Sequence, residues 1–194
     1  HHIAKNPGFW GVKDCQDAAV VYKELAAAEG EKVVTAAVDT AWDTMMPLNT
    51  TSNYTRFFCD QIYDRLTQNN FDGSIEGRLA ESWTVNEAND AVTFKLHENA
   101  VWSDGEPVTA EDVVFSYQMY SDPAVEAKSR YHLEYIAGVD DSGAELSEDS
   151  IEVTADSEYE VTFKLKEAMF ADTFIQDIDT VYIIPKHIFE GKTA

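Results

Sequence analysis

The chain has 194 residues, with 36 Asp and Glu against 14 Lys and Arg, a formal net charge of −22 that opposes any polyanion before contact. Nucleic acid and anionic lipid surfaces are thereby excluded as partners. At 44% hydrophobic residues the composition is that of a folded protein, able to bury roughly 70% of its extended surface.

The longest apolar runs, such as Val181-Tyr182-Ile183-Ile184, are too short to span a bilayer. The opening His1-His2-Ile3-Ala4-Lys5 is not a charged-then-apolar leader, and its histidine pair reads either as a tag remnant or as native sequence. Cys15 and Cys59 allow one disulfide or two separate thiols.

In chain order, Asn6-Pro7-Gly8-Phe9-Trp10-Gly11 is turn chemistry around two aromatics. Asp14 with Asp17 at capping-box spacing opens a helix, with Ala18, Val21, Leu25 and Ala28 on one face and Gly30 as its stop. Residues 1–30 are therefore expected as an N-terminal appendage or linker, and residues 31–194 as the main unit. Lys32 to Val38 has the pattern of a short buried strand. A second helix is expected over Asn53 to Gln68, its apolar stripe being Tyr54, Phe58, Ile62 and Leu66.

Trp83 to Val85, the turn-prone Asn86 to Asp90, and Val92 to Leu96 form a hairpin pattern. Ile151 to Thr154, a polar break at Ala155 to Ser157, and Tyr159 to Leu165 repeat it. Val-Thr-Phe-Lys-Leu occurs at both 92–96 and 161–165. Either a duplication or convergence of two strands on one alternation accounts for this. Between the hairpins, Thr109 with Asp112 announces a third helix carrying Val113, Val114, Tyr117 and Tyr120 inward. A fourth is expected over Glu167 to Gln176, with Phe170 and Phe174 one turn apart. Hairpins interspersed with helices predict an α+β fold with a mixed, mostly antiparallel sheet and flanking helices.

Asp104, Glu106, Glu111 and Asp112 could be read as a metal or acid–base cluster, but a turn followed by a helix N-terminus explains them better. Asp140 to Gly143 with Glu148 and Asp149 matches a calcium loop in composition only, without the ligand register. No His is at HExxH spacing, and neither GxSxG nor a phosphate loop occurs. The expectation is no catalytic residue, no metal ligand and no cofactor: not an enzyme.

From Gln61 to Tyr120 the blocks form a pattern. They are Tyr63-Asp64-Arg65-Leu66, Asp72-Gly73, Leu79-Ala80-Glu81-Ser82-Trp83, Phe94-Lys95-Leu96 and Trp102-Ser103-Asp104-Gly105-Glu106-Pro107-Val108-Thr109-Ala110-Glu111-Asp112-Val113. In this order they resemble the extracellular solute-binding proteins of family 5, the peptide-, dipeptide- and nickel-binding receptors of ABC importers. Ile183-Ile184-Pro185-Lys186-His187-Ile188 extends the resemblance, which covers about 33–189. Departures are His97 in place of Arg or Lys, Met45-Met46-Pro47 in place of Leu-Asp-Pro, and Gly77-Arg78 before Leu79.

The resemblance implies a periplasmic-binding-protein-like fold (class II, cluster C type), of which this chain corresponds to the N-terminal part of lobe one with its small subdomain. It implies capture of oligopeptides or a similar small solute, outside the membrane or in the periplasm, by a membrane-tethered receptor. The implied partners are the solute, the ABC transporter permease and a second lobe of the same receptor. The ligand-facing segment would be Asn49, Thr50, Thr51, Ser52, Asn53 and Tyr54, whose hydroxyls and amides suit a peptide backbone. Those residues also suit a helix cap at Thr51 or Ser52. The alternative function is a non-catalytic surface or assembly module using the same subdomain for protein contacts.

Overall fold

The computed structural model describes residues 20–22, 44, 46–168 and 171–191. Strand β1 (Val20–Tyr22) pairs antiparallel with a later strand, Val20 opposite Trp102 and Tyr22 opposite Ala100. This corrects the helix expected across Asp14 to Gly30, because Val-Val-Tyr favours an extended chain once a strand edge is offered. The rest of that helix, and the strand expected at 32–38, lie outside the described residues.

Helix α1 (Asn53–Cys59) is half the expected length, and Thr55 and Cys59, not Tyr54 and Phe58, are its buried pair. Its termination is tertiary. The carbonyls of Asp64, Arg65 and Leu66, which a longer helix would use internally, accept from Ile183, Leu79 and both Arg78 and Ala80. Distant backbone donors thus satisfy these groups and hold residues 64–66 outside the helix. The chain instead enters β2 (Thr67–Asn69), paired antiparallel with β3 (Ile75–Gly77). Arg78, one of the departures from the family pattern, forks onto the buried Asp64 carboxylate at 3.1 and 3.3 Å.

The main sheet has four antiparallel strands in the order β4 (Ala80–Val85), β5 (Ala91–Leu96), β8 (Glu160–Lys164), β7 (Val153–Ser157). The first turn is closed by Asn86, whose Oδ1 accepts from the Asp90 and Ala91 amides. In the second hairpin the strand runs through the expected polar break to Ser157. It is an edge strand, where Asp156 can face solvent and accept from Thr162 Oγ1.

The two Val-Thr-Phe-Lys-Leu segments lie side by side at the sheet's centre, although Leu165 falls just past β8. Val92 faces Phe163, Thr93 faces Thr162 and Phe94 faces Val161, with the threonine hydroxyls 2.7 Å apart at the midpoint. Both present the same face inward, so Val92, Phe94, Leu96, Val161, Phe163 and Leu165 are buried together. Each fully buried side chain of this kind contributes about 1.5–3 kcal/mol.

After β6 (Ala100–Trp102), helix α2 (Ala110–Ser121) lies against this face, with the Tyr117 and Phe163 ring centroids 4.7 Å apart. A 3-10 turn follows at Arg130–Leu133. Helix α3 (Ala171–Asp177) buries Phe174 against Phe163, and Phe170 lies outside the described residues. A buried segment from Val181 to Pro185 then passes beside α2 and ends in α4 (Lys186–Phe189). Its amides are received by side chains of α2, Ile184 N–H donating to Ser116 Oγ at 2.9 Å. The fold is the expected α+β class with a mostly antiparallel sheet.

Candidate functional site

Two polar regions stand out, and their chemistry differs. The first surrounds the acidic cluster. Asp112 is 4% exposed, and its carboxylate accepts from Thr109 N–H (2.9 Å), Thr109 Oγ1 (3.1 Å), Trp102 Nε1 (3.4 Å) and Lys186 N–H (2.8 Å). One side chain thus closes the capping box of α2 and ties the Trp102 turn and the start of α4 to it. Burial pushes the Asp112 carboxyl above its ordinary pKa, and the four hydrogen bonds only partly oppose this. Glu111 pairs with Lys186 Nζ at 2.8 Å and Asp104 with His187 Nε2 at 2.8 Å. Glu111, Asp112, Lys186 and His187, together with Glu106, Pro107, Thr109 and Glu190, line a shallow depression of about 260 Å³. Asp104, which also accepts from Glu106 N–H, Glu111 and Asp112 thus hold the turn and the start of α2, the turn-and-helix role expected of them.

The acidic loop at Asp140 is organised the same way. Asp140 Oδ1 accepts from the Ser142 amide and hydroxyl and from Ala144 N–H, which together hold the carboxyl below its ordinary pKa. Among the described residues, no group of three or more His, Cys, Asp or Glu side chains is placed to hold a metal ion.

The second region is the segment expected to face ligand. Asn49 Nδ2 donates to Val125 O at 2.9 Å, and the buried Thr50 accepts from Ser52 N–H through its Oγ1 at 3.1 Å. Ser52 is the N-cap of α1, its hydroxyl receiving Thr55 N–H at 3.4 Å. These three residues therefore build the loop and start the helix. Thr51 and Asn53 remain exposed, and Tyr54 is 38% exposed. The six are brought together along one short stretch of surface but divide into scaffold (Asn49, Thr50, Ser52) and solvent-facing groups (Thr51, Asn53, Tyr54).

Sequence reasoning missed what stands beside them. Lys128 N–H donates to Leu48 O at 2.8 Å, and Arg56 Nη2 donates to Ser129 Oγ at 3.2 Å. These bonds, with Asn49 to Val125, bring residues 125–130 against the 48–56 segment. At the other end of α1, Asp60 accepts from Tyr182 Oη at 2.7 Å and pairs with Arg65, whose Nη1 donates to Asp179 O at 2.7 Å. Arg65 also stacks over the Tyr182 ring, 5.2 Å from its centroid. Partners more than 70 residues apart leave no local signal.

Comparison with known proteins gives consistent results. A family model described as bacterial extracellular solute-binding proteins, family 5 Middle, matches residues 74–193. The dipeptide-binding protein DppE of Bacillus subtilis (strain 168) is 32% identical over 114 residues, 57% of this chain and 21% of that protein. The periplasmic oligopeptide-binding protein OppA of Escherichia coli (strain K12) is 39% identical over 82 residues, 41% of this chain and 15% of that protein. This chain thus spans only 15–21% of the length of these two relatives. Among solved structures, the unliganded open form of the periplasmic murein tripeptide-binding protein MppA superposes with a TM-score of 0.67 at 23% identity, over 77% of this chain and 30% of that one, a likeness of fold. With the motif blocks, the hairpin sheet and a family match over well over half its length, the chain belongs to the bacterial extracellular solute-binding proteins of family 5.

Proposed function

We propose that this chain is the N-terminal part of lobe one of a receptor that captures oligopeptides or a similar small solute outside the membrane and delivers it to an ABC importer permease. The observation that carries this reading is the family match over residues 74–193, with relatives named for dipeptide and oligopeptide binding. Residues 31–194 are the lobe, and residues 1–30 are an appendage or linker. The solute-facing segment is Asn49 to Tyr54, in which Thr51, Asn53 and Tyr54 meet the ligand and Asn49, Thr50 and Ser52 hold them in place. The opposite wall of the cleft belongs to a second lobe, so this chain presents one wall only. A one-walled cleft leaves much of a peptide in water and forgoes the closure that orders the site.

Isothermal titration of the chain with a mixed peptide pool tests this. Affinity is expected to be roughly millimolar or weaker. Micromolar binding, abolished by Thr51→Ala with Asn53→Ala, would contradict the two-lobe part of the reading. A second reading, a non-catalytic surface or assembly module, is favoured by Phe71, whose ring is fully exposed at the tip of the β2–β3 hairpin. A permease or ATPase gene adjoining this one supports the receptor, and a gene with no transporter nearby supports the module.

A further inference from the structure

The net charge points to basic ligands, and the local charges beside the candidate site point the other way. With 36 carboxylate residues against 14 cationic ones, a lysine or arginine on this surface readily finds an acidic neighbour. Arg65, Arg78, Lys95, Lys164, Lys166 and Lys186 all do, at 3.6 Å or less. The remaining described cations, Arg56, Lys128 and Arg130, form no ion pair among the described residues, and all three lie in one place. Arg56 is on α1 and bonded to Ser129, while Lys128 and Arg130 flank that serine. Lys128 is exposed and the two arginines are half-buried. The backbone bond from Lys128 to Leu48 sets this group against the loop that begins at Asn49.

Asp140 senses the charge of Arg130, but its carboxylate is already held by the Ser142 and Ala144 donors. At physiological salt, screening limits exposed charges to about 8 Å. A ligand at Thr51 to Tyr54 therefore lies beside these three cations, with Glu126 the exposed carboxylate of the same 125–130 stretch. Arginine forks match carboxylate geometry, and a neighbouring lysine adds a further cationic donor.

We infer that Arg56, Lys128 and Arg130 form a subsite for a carboxylate of the bound solute, either the C-terminus of a peptide or an acidic side chain. This rests on the reading that Asn49 to Tyr54 faces ligand, and it makes the receptor selective for solutes with an anionic end despite its own acidity.

The test is an NMR titration of the isotopically labelled chain with three versions of one short peptide: free acid, C-terminal amide, and amide with an internal Glu. The free acid is expected to bind about fivefold tighter than the amide. Lys128→Gln with Arg130→Gln should remove that preference. Arg130→Lys alone, which keeps the charge, should retain most of it and shows that charge, not folding, is being read. An internal Glu that matches the free acid identifies a side-chain carboxylate as a sufficient source, and one that matches the plain amide restricts the subsite to the C-terminus. Equal affinities for all three peptides, with shifts at Thr51 to Tyr54, would overturn the carboxylate subsite and leave the receptor reading standing. No shift in that segment with any peptide would overturn both.

Discussion

The Asp112 region and the Asn49–Tyr54 segment are both polar, both sit at helix starts, and use their polar groups in opposite ways. Around Asp112 a buried carboxylate with four donors ties together the Trp102 turn and the α2 capping box, both within one block of the family pattern, and joins them to the Pro185-Lys186 segment of another. Around Thr51 the residues Asn49, Thr50 and Ser52 bond within the scaffold, and Thr51, Asn53 and Tyr54 are the exposed ones. The lesson is that density of recognisable motif marks the joints of this fold, whereas the candidate ligand surface carries almost no motif. A fold must specify its buried polar groups closely, and a surface that reads peptide backbone needs only hydroxyls and amides of suitable exposure.

The comparison breaks most visibly at Asp112. Replacement by Ala strands four donors in a largely buried setting and should cost about 3 kcal/mol in denaturant unfolding, whereas Thr51→Ala with Asn53→Ala should stay within about 0.5 kcal/mol. Comparable losses would erase the distinction between the regions. Within the second region, Ser52→Ala removes the α1 cap and should cost about 1 kcal/mol, which separates scaffold from surface inside the same six residues.

A smaller effect concerns acid. The folded Asp112 carboxyl has its pKa raised above 3.8, so the folded state binds the proton more tightly than the unfolded chain. That group takes stability away as pH rises through its folded value. Asp90, held low chiefly by the Lys164 hydrogen bond, acts in reverse and loses its contribution as pH falls below 3.8. The stability of the native chain minus that of Asp112→Asn should therefore fall as pH rises above 3.8, and a rise would contradict the assignment.

A further small effect is expected at Tyr117, about a turn and a half beyond Asp112 on α2. Its buried hydroxyl has no hydrogen-bond partner among the described residues, and Tyr117→Phe should be neutral or stabilising by up to about 1 kcal/mol. A clear loss would mean that this hydroxyl, like the Asp112 carboxylate, is engaged.

Local physics was legible in the sequence and distant physics was not. The capping box at Thr109 and Asp112 and the alternation of Val92, Phe94 and Leu96 were readable because each rests on residues a few positions apart. The end of α1 was not, because the carbonyls of Asp64 to Leu66 are taken by donors at 183 and 78–80. Likewise the helix expected at Val21 yields to pairing with residues 100–102. The candidate segment was named from family resemblance, and its division into scaffold and surface follows from hydrogen bonds to Val125 and within the loop. The cations of Arg56, Lys128 and Arg130 become a group only once the chain has brought residue 56 to residue 129.

The most direct test of the claim that ligand meets the segment without motif, and not the motif-dense joint, is a backbone amide shift map of the chain with a free-acid peptide. The account predicts that the largest shifts fall at Thr51, Asn53, Tyr54 and Lys128 to Arg130, with Glu106 to Asp112 and Lys186 to Glu190 unmoved. Shifts concentrated around the Asp112 depression, with Thr51 to Tyr54 silent, would contradict it.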